Sequence, residues 1–162
     1  MIDEAQLLKL ARELSTIKSK GAPRKAYLRR SISSAYYALF HFLVNRATCD
    51  LAGLDYKSPR FRLIYRSFEH AEMRAACERA TKRLPDAFGR DSFGPDLQLC
   101  ARTFIELQKL RHDADYDPQA IFALSDAQNA VSRVETAMQK YENVPVDERR
   151  LFLLTLHYRH RS

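Results

Sequence analysis

The sequence predicts an all-α protein, an antiparallel bundle of four or five long helices followed by a short C-terminal helix. Apolar residues recur at helical spacing along most of the 162 residues, and no stretch alternates as a strand does. The chain also has only four Gly and six Pro residues, too few for an all-β fold with many turns. We expect one helical domain, residues 1–142, and a basic helical appendage, residues 143–162.

The first two helices are indicated by apolar stripes and by the residues that flank them. The first is predicted over residues 3–19, with Asp3 as its N-terminal cap and Gly21 ending it. The second is predicted over residues 24–51, because an apolar stripe runs along it and Gly53 stands just past its end.

A third helix is expected to begin at Ser58, with Ser58 as the cap and Pro59 at the first helical position. The loop that follows is predicted at residues 84–95, where Gly, Pro and charged residues collect. The predicted inner face of the third helix consists of Ile64, Phe68, Ala71, Ala75, Ala76 and Ala80.

The remaining helices are bounded by proline and by a second capping pattern. The fourth is predicted over residues 96–113, before Pro118, which disfavours helix in the preceding residue. Ser125 with Gln128 forms a capping box for the fifth helix. A short last helix is predicted over residues 147–158.

Positive charge is concentrated in a few segments. The net charge is +7, and residues 18–30 and 57–66 contain basic residues but no acid. Such runs attract polyanions such as RNA by releasing counterions, although they also occur as ordinary solvated surface. Further basic residues lie unopposed near the C-terminus: Arg149, Arg150, Arg159 and Arg161.

The sequence predicts a cytoplasmic protein without a membrane span, a metal or another cofactor. Three cysteines, an odd number, do not suggest a disulfide framework, and no secretory signal is visible. The longest apolar run, residues 35–44, is roughly half of a membrane span. The acidic run at residues 113–117 lacks the glycine and the glutamate that a calcium-binding loop needs.

Two segments carry a resemblance to a known family. They are RRSISSAYYALFHFLVNRA at residues 29–47 and LQKLRHDADYDP at residues 107–118. Together they resemble the HEPN superfamily, in particular its small prokaryotic stand-alone members. The resemblance implies an antiparallel four-helix bundle that usually forms a homodimer. It also implies RNA cleavage in toxin–antitoxin or defence systems, or a non-catalytic role, since the family has both kinds of member.

The active members of that family carry an arginine followed four to six residues later by a histidine. Arginine suits the phosphate and histidine suits proton transfer, so the pair can cut RNA without a metal. In this sequence Arg111 is present, but Tyr116 stands where the histidine would be. His112 directly follows Arg111, and consecutive helical side chains point about 100° apart. The candidate catalytic residues are Arg111, His112, Tyr116 and His41.

The second predicted helix carries a histidine, His41, that could take the place of the missing motif histidine. Arg30, Ser34, Tyr37 and His41 are spaced to lie on one stripe, which can face the end of the fourth helix. A polar cleft would then bring that stripe to the motif residues. The alternative is a buried hydrogen-bond network that holds two helices together. The candidate RNA- or nucleotide-binding residues are Arg30, Tyr37, Asp115, Lys25 and Arg29.

These observations leave three functional hypotheses. The first is a HEPN-type protein of a toxin–antitoxin or defence module that acts on RNA, as a metal-independent endoribonuclease. The second is a non-catalytic dimerising adaptor that binds a nucleotide or a partner protein such as a minimal nucleotidyltransferase. The third is a structural helical bundle without a polyanion ligand.

Overall fold

The computed structural model describes residues 3–53 and 55–157, apart from the side chains at positions 52, 156 and 157. The described chain is all-α, as predicted; it contains no strand, and none of its helices is long and apolar enough to cross a bilayer. A 3₁₀ turn at Asp86–Phe88 lies in the predicted loop. Arg159 and Arg161 of the predicted basic tail lie outside the described residues. The described residues form seven α-helices: α1 Glu4–Thr16, α2 Gly21–Ala52, α3 Pro59–Arg66, α4 His70–Ala80, α5 Pro95–Tyr116, α6 Leu124–Glu142 and α7 Val146–His157.

Helix α2 is the centre of the bundle. It is 32 residues long and packs against α1, α5 and α6. Ser31 of α2 donates a hydrogen bond to the carbonyl of Ala11, while Ser33 reaches Asp115 near the end of α5. Further along α2, Asn45 donates to Glu4 at the start of α1, and Tyr37 meets Arg111, one turn before Asp115 in α5. Both α1 and α5 therefore run antiparallel to α2. A continuous apolar core forms where these helices meet, with Tyr36 of α2 and Phe104 of α5 both at 0% exposure.

The N-terminus of α5 is held by a side chain from α7. The Gly94 amide donates to the Glu148 carboxylate at 2.5 Å, and Arg90 pairs with the same carboxylate at 3.3 Å. A carboxylate at a helix N-terminus satisfies free amides and is favoured by the helix dipole. Helix α7, which belongs to the segment 143–162, also buries Phe152 and Leu153 in the same core.

Several predicted helix ends are confirmed. The Asp3 side chain accepts hydrogen bonds from the first-turn amides of α1, and the Ser58 hydroxyl accepts one from the Phe61 amide. Helix α2 ends at Ala52, with Gly53 following at φ 81°, a conformation that glycine adopts without strain. Helix α5 ends at Tyr116, two residues before proline, as that proline requires.

Three predicted features are wrong. The predicted third helix is two helices, because residues 67–69 are not helical and α4 begins only at His70. Ala71, which was predicted to face inward, is exposed. Gly21 does not end the first helix but begins α2, since α1 already ends at Thr16. Ser125 is not the cap of the fifth helix. That helix begins at Leu124, and its N-cap is Ala123, two residues before Ser125. The side chain of Asp126 accepts a hydrogen bond from the Ala123 amide.

Candidate functional site

Arg111 lies at the contact between the C-terminal half of α5 and the middle of α2. Its Nη2 donates to the Tyr37 hydroxyl at 2.7 Å, and its Nε lies 3.4 Å from the Asp115 carboxylate. The Ser33 hydroxyl also donates to that carboxylate, at 3.2 Å. The Arg111 and Asp115 side chains are only 14% and 17% exposed, so their charges are largely removed from water. Removing either partner would leave a poorly solvated charge.

Three tyrosine rings surround the Arg111 guanidinium. Its central carbon lies 5.4 Å from the ring centre of Tyr36, 5.1 Å from that of Tyr37 and 5.8 Å from that of Tyr116. Such contacts favour the cation electrostatically. The guanidinium is not saturated, because its buried Nε makes no aligned hydrogen bond within the described residues. That Nε is too buried for an external anion, but Nη1 is not fully buried and makes no hydrogen bond within the described residues, so it can donate to an anion.

His70, at the start of α4, stands beside this guanidinium. Its Nδ1 lies 2.7 Å from the Tyr36 hydroxyl, and Gln108 of α5 donates to its backbone carbonyl at 3.0 Å. The ring also packs on Phe40 with 3.9 Å between ring centres. Burial lowers the pKa of His70, and the charge of Arg111 lowers it further. Burial also raises the pKa of Tyr36, so this phenol keeps its proton.

His41 completes the cluster from α2. Its Nδ1 lies 2.6 Å from the Tyr65 hydroxyl of α3, and the two rings are nearly parallel. The His41 ring also stacks beside that of Tyr37, with ring centres 6.3 Å apart. Burial lowers the pKa of His41 to about 4, with a smaller contribution from His70. At neutral pH the site therefore holds uncharged imidazoles close to one guanidinium.

The structure brings together most of the predicted polar cleft. Tyr37, Arg111, Asp115 and Tyr116 lie in direct contact, and His41 joins them through the ring of Tyr37. Arg30 does not join them, because it is exposed and makes no hydrogen bond or ion pair with the described residues.

Three other predicted residues lie away from the cluster. The His112 side chain is 68% exposed; among the described residues it pairs with Asp113 and lies against the ring of Tyr116. Lys25 is exposed near the start of α2. Arg29 is engaged within the molecule: its guanidinium donates to four backbone carbonyls at the end of α5, those of Ala114, Asp117, Pro118 and Ala120.

Sequence reasoning missed four members of the cluster: Tyr36, Tyr65, His70 and Gln108. Tyr36 belongs to the apolar stripe of α2 and looks like core, which it also is. His70 has no spacing relation to Arg111 in the sequence; the break between α3 and α4 places it there. No group of three or more His, Cys, Asp or Glu side chains in the described chain is arranged to hold a metal ion.

The free energy of unfolding should fall as the pH drops from about 6.5 to about 4. His41 has an ordinary pKa of 6.5 but a pKa of about 4 when folded, so in this interval the unfolded chain binds a proton that the folded chain does not. The pKa of His70 is also lowered, so His70 adds to the same loss of stability at low pH. We expect a loss of roughly 1–2 kcal/mol, because both rings are partly solvated. Urea unfolding at both pH values measures it. A His41→Gln variant should lose less, and an equal loss would contradict this assignment.

Comparison with known proteins does not assign the chain to a family. No protein-family model matches the chain, and neither a curated protein nor a solved structure matches it. The HEPN resemblance therefore stays a prediction from the segments 29–47 and 107–118. In the structure these segments lie on α2 and α5, and both contribute to the cluster around Arg111.

Proposed function

We propose that this protein is a HEPN-type, metal-independent endoribonuclease of a toxin–antitoxin or defence module, with its site at the Arg111 cluster. One observation carries the proposal: two uncharged imidazoles, His41 and His70, lie in the same cluster as Arg111. The histidine that the α5 motif lacks would thus come from α2 and α4. The proposal also rests on the sequence resemblance.

The proposed chemistry is an attack by the RNA on itself. One histidine accepts the proton of a 2′-hydroxyl, whose oxygen then attacks the neighbouring phosphorus. The bond between phosphorus and the 5′-oxygen breaks, and the leaving oxygen takes the proton that the histidine accepted from the 2′-hydroxyl. The products therefore carry a 2′,3′-cyclic phosphate and a 5′-hydroxyl. Arg111 balances the charge that develops on the phosphate. Binding of the phosphate raises the pKa of a nearby imidazole, which makes it a better base.

Helix α3 offers a path for the RNA backbone to this cluster. Lys57 precedes the helix, and Arg60, Arg62 and Arg66 lie exposed on it; none of the four forms an ion pair within the described chain. Tyr65 of the same helix contacts His41. Unpaired cations next to the proposed site favour an anionic polymer as the substrate.

We expect the affinity for single-stranded RNA to fall steeply with salt concentration, mainly because of the exposed arginines of α3. Replacing Arg60, Arg62 and Arg66 with Gln removes three cations, so the slope of log K against log salt should become shallower by about 2. Fluorescence anisotropy with a labelled oligonucleotide measures it. The matched control replaces Lys82, Arg83 and Arg150 with Gln, all exposed on other elements. Equal slopes for the two triple variants would argue against an RNA path over α3.

RNA cleavage is expected to persist in EDTA, because in this proposal Arg111 supplies the positive charge at the phosphate. Mass spectrometry should find 2′,3′-cyclic phosphate ends. A DNA strand of the same sequence is the control; it lacks the attacking 2′-hydroxyl and should stay intact. If chelation stopped the reaction and Mg²⁺ restored it, or if the DNA were cut, the proposed chemistry would be wrong.

A second candidate is the non-catalytic adaptor that binds a nucleotide or a partner such as a minimal nucleotidyltransferase. The observation in its favour is that Arg111 already contacts Asp115 and Tyr37, as a structural pair between helices would. For either candidate we propose a homodimer, on the sequence resemblance.

A further inference from the structure

A groove of about 700 Å³ lies between α5 and α6, on the side of α5 that faces away from the Arg111 cluster. Its volume falls within the range of small-molecule sites. Arg102 of α5 lines it and is nine residues from Arg111, about two and a half helical turns, so the two side chains leave opposite sides of the helix. The groove is therefore separate from the proposed RNA site.

The charged side chains that line the groove are both cations, Arg102 of α5 and Arg133 of α6. Arg102 bonds to the neutral side chain of Gln98 and has no carboxylate partner in the described chain. Arg133 pairs with Glu106, which is 57% exposed, and such a surface pair is weak. An anion in the groove can therefore engage both guanidinium groups, whose planar forks match phosphate and carboxylate.

Thr103 gives the groove a hydroxyl without a partner among the described residues. The residue is only 5% exposed and lines the groove, yet its hydroxyl makes no hydrogen bond within the described residues. A helical threonine commonly bonds back to the carbonyl four residues before it, as Thr136 does to Ser132 in the opposite wall. The Thr103 hydroxyl oxygen itself is not fully buried, so it can donate a hydrogen bond to a ligand in the groove that supplies an acceptor.

The rest of the lining can receive an apolar body. Phe93 and Pro95, next to the start of α5, and Leu99, which is 38% exposed, form that part of the groove. An apolar surface beside two cations and a hydroxyl is the usual composition of a site for an amphipathic small molecule.

We propose that this groove binds a small organic anion, an apolar body that carries a phosphate or a carboxylate. Arg102 and Arg133 hold the anionic group, the Thr103 hydroxyl donates to one of its oxygens, and Leu99 contacts the apolar body. The proposal does not depend on the RNA function, because none of these residues belongs to the Arg111 cluster.

The test is NMR titration of the full-length protein with phenyl phosphate and with benzoate, which separates the two anionic groups. At least one should shift the amide signals of α5 and α6 around the groove, with a Kd on the order of 1 mM, as expected for so few atoms. Benzyl alcohol, which is uncharged, and inorganic phosphate, which lacks an apolar body, should bind more weakly.

Variants then locate the site. Arg102→Gln and the isosteric Thr103→Val should each raise the Kd of the probe several-fold or more, since each removes one hydrogen-bonding group. Arg150→Gln on α7 is the matched surface control and should change nothing. The proposal is overturned if neither anionic probe shifts the groove signals. It is equally overturned if folded Arg102→Gln and Thr103→Val bind as the wild type does.

Discussion

In the proposed RNA cleavage, replacing Arg111 with Ala should lower the rate by about 10²–10³-fold, the usual cost of removing a preorganised charge from a developing anion. The same change should lower the free energy of unfolding by about 3 kcal/mol, because the Asp115 carboxylate is left largely out of water with only the Ser33 hydroxyl as a partner. At 14% and 17% exposure the two side chains are much better shielded from water than a weak surface pair.

The two effects of Arg111 can be separated by a double variant. Arg111→Met with Asp115→Asn removes both charges while keeping similar volumes, so much of the lost stability should return. RNA cleavage should not return, because the phosphate still lacks its cation. His112→Ala is the control for a mutation at the neighbouring position, since His112 is exposed and should contribute little. A folded double variant that cleaves RNA at the wild-type rate would refute the phosphate role and favour the adaptor.

Replacing Arg29 with Ala should lower the free energy of unfolding by about 2–4 kcal/mol, the second largest effect we expect. The Arg29 guanidinium lies 2.9 Å from the Ala114 carbonyl oxygen, 2.8 Å from that of Asp117 and 2.5 Å from that of Ala120. Only the Ala114 carbonyl belongs to the last turn of α5; the other two lie in the turn that follows, where the Asp117 carbonyl also accepts from the Ala120 amide. A cation at this end of α5 is also favoured by the helix dipole. Chemical denaturation measures the loss.

The neighbouring residue offers a matched control for Arg29. Arg30 is also an arginine on α2, but it is exposed and without a partner in the described chain, so Arg30→Ala should change stability by less than about 0.5 kcal/mol. Arg29→Lys should recover only part of the loss, because an ammonium lacks the guanidinium's fork. Equal stabilities for Arg29→Ala and Arg30→Ala would show that the carbonyl contacts contribute nothing measurable.

The helices could be predicted from the sequence where local signals decide their ends. Asp3, Ser58 and Pro118 act through their own side chains or rings, so their effects need no knowledge of the fold. The break between α3 and α4 has no such signal. The apolar stripe continues through Phe68, and no Gly or Pro interrupts residues 67–69. The two short helices pack on different partners, α3 on α2 and α4 on α5 and α7, and these tertiary contacts are not visible in the local sequence.

The candidate site, like the helices, was predictable only where spacing along a helix decides which side chains meet. The meeting of Tyr37 with Arg111 follows from the spacing of polar residues on two helices that pack side by side. The position of His70 could not follow, because it depends on the unpredicted break. The distinction between Arg29 and Arg30 could not either. It rests on the path of the backbone after α5, which turns four carbonyls toward one guanidinium.

Both ends of α5 are tied to distant parts of the chain, and this bears on its local motions. Glu148, which holds the Gly94 amide, lies 54 residues after it, and Arg29 lies 85 residues before Ala114. Helix ends ordinarily open by themselves and exchange their amide hydrogens before the helix centre does. Fraying of α5 would also break contacts with α7 or α2. We therefore expect its terminal turns to exchange together with the rest of the bundle, so that Arg111 keeps its position for as long as the bundle stays folded.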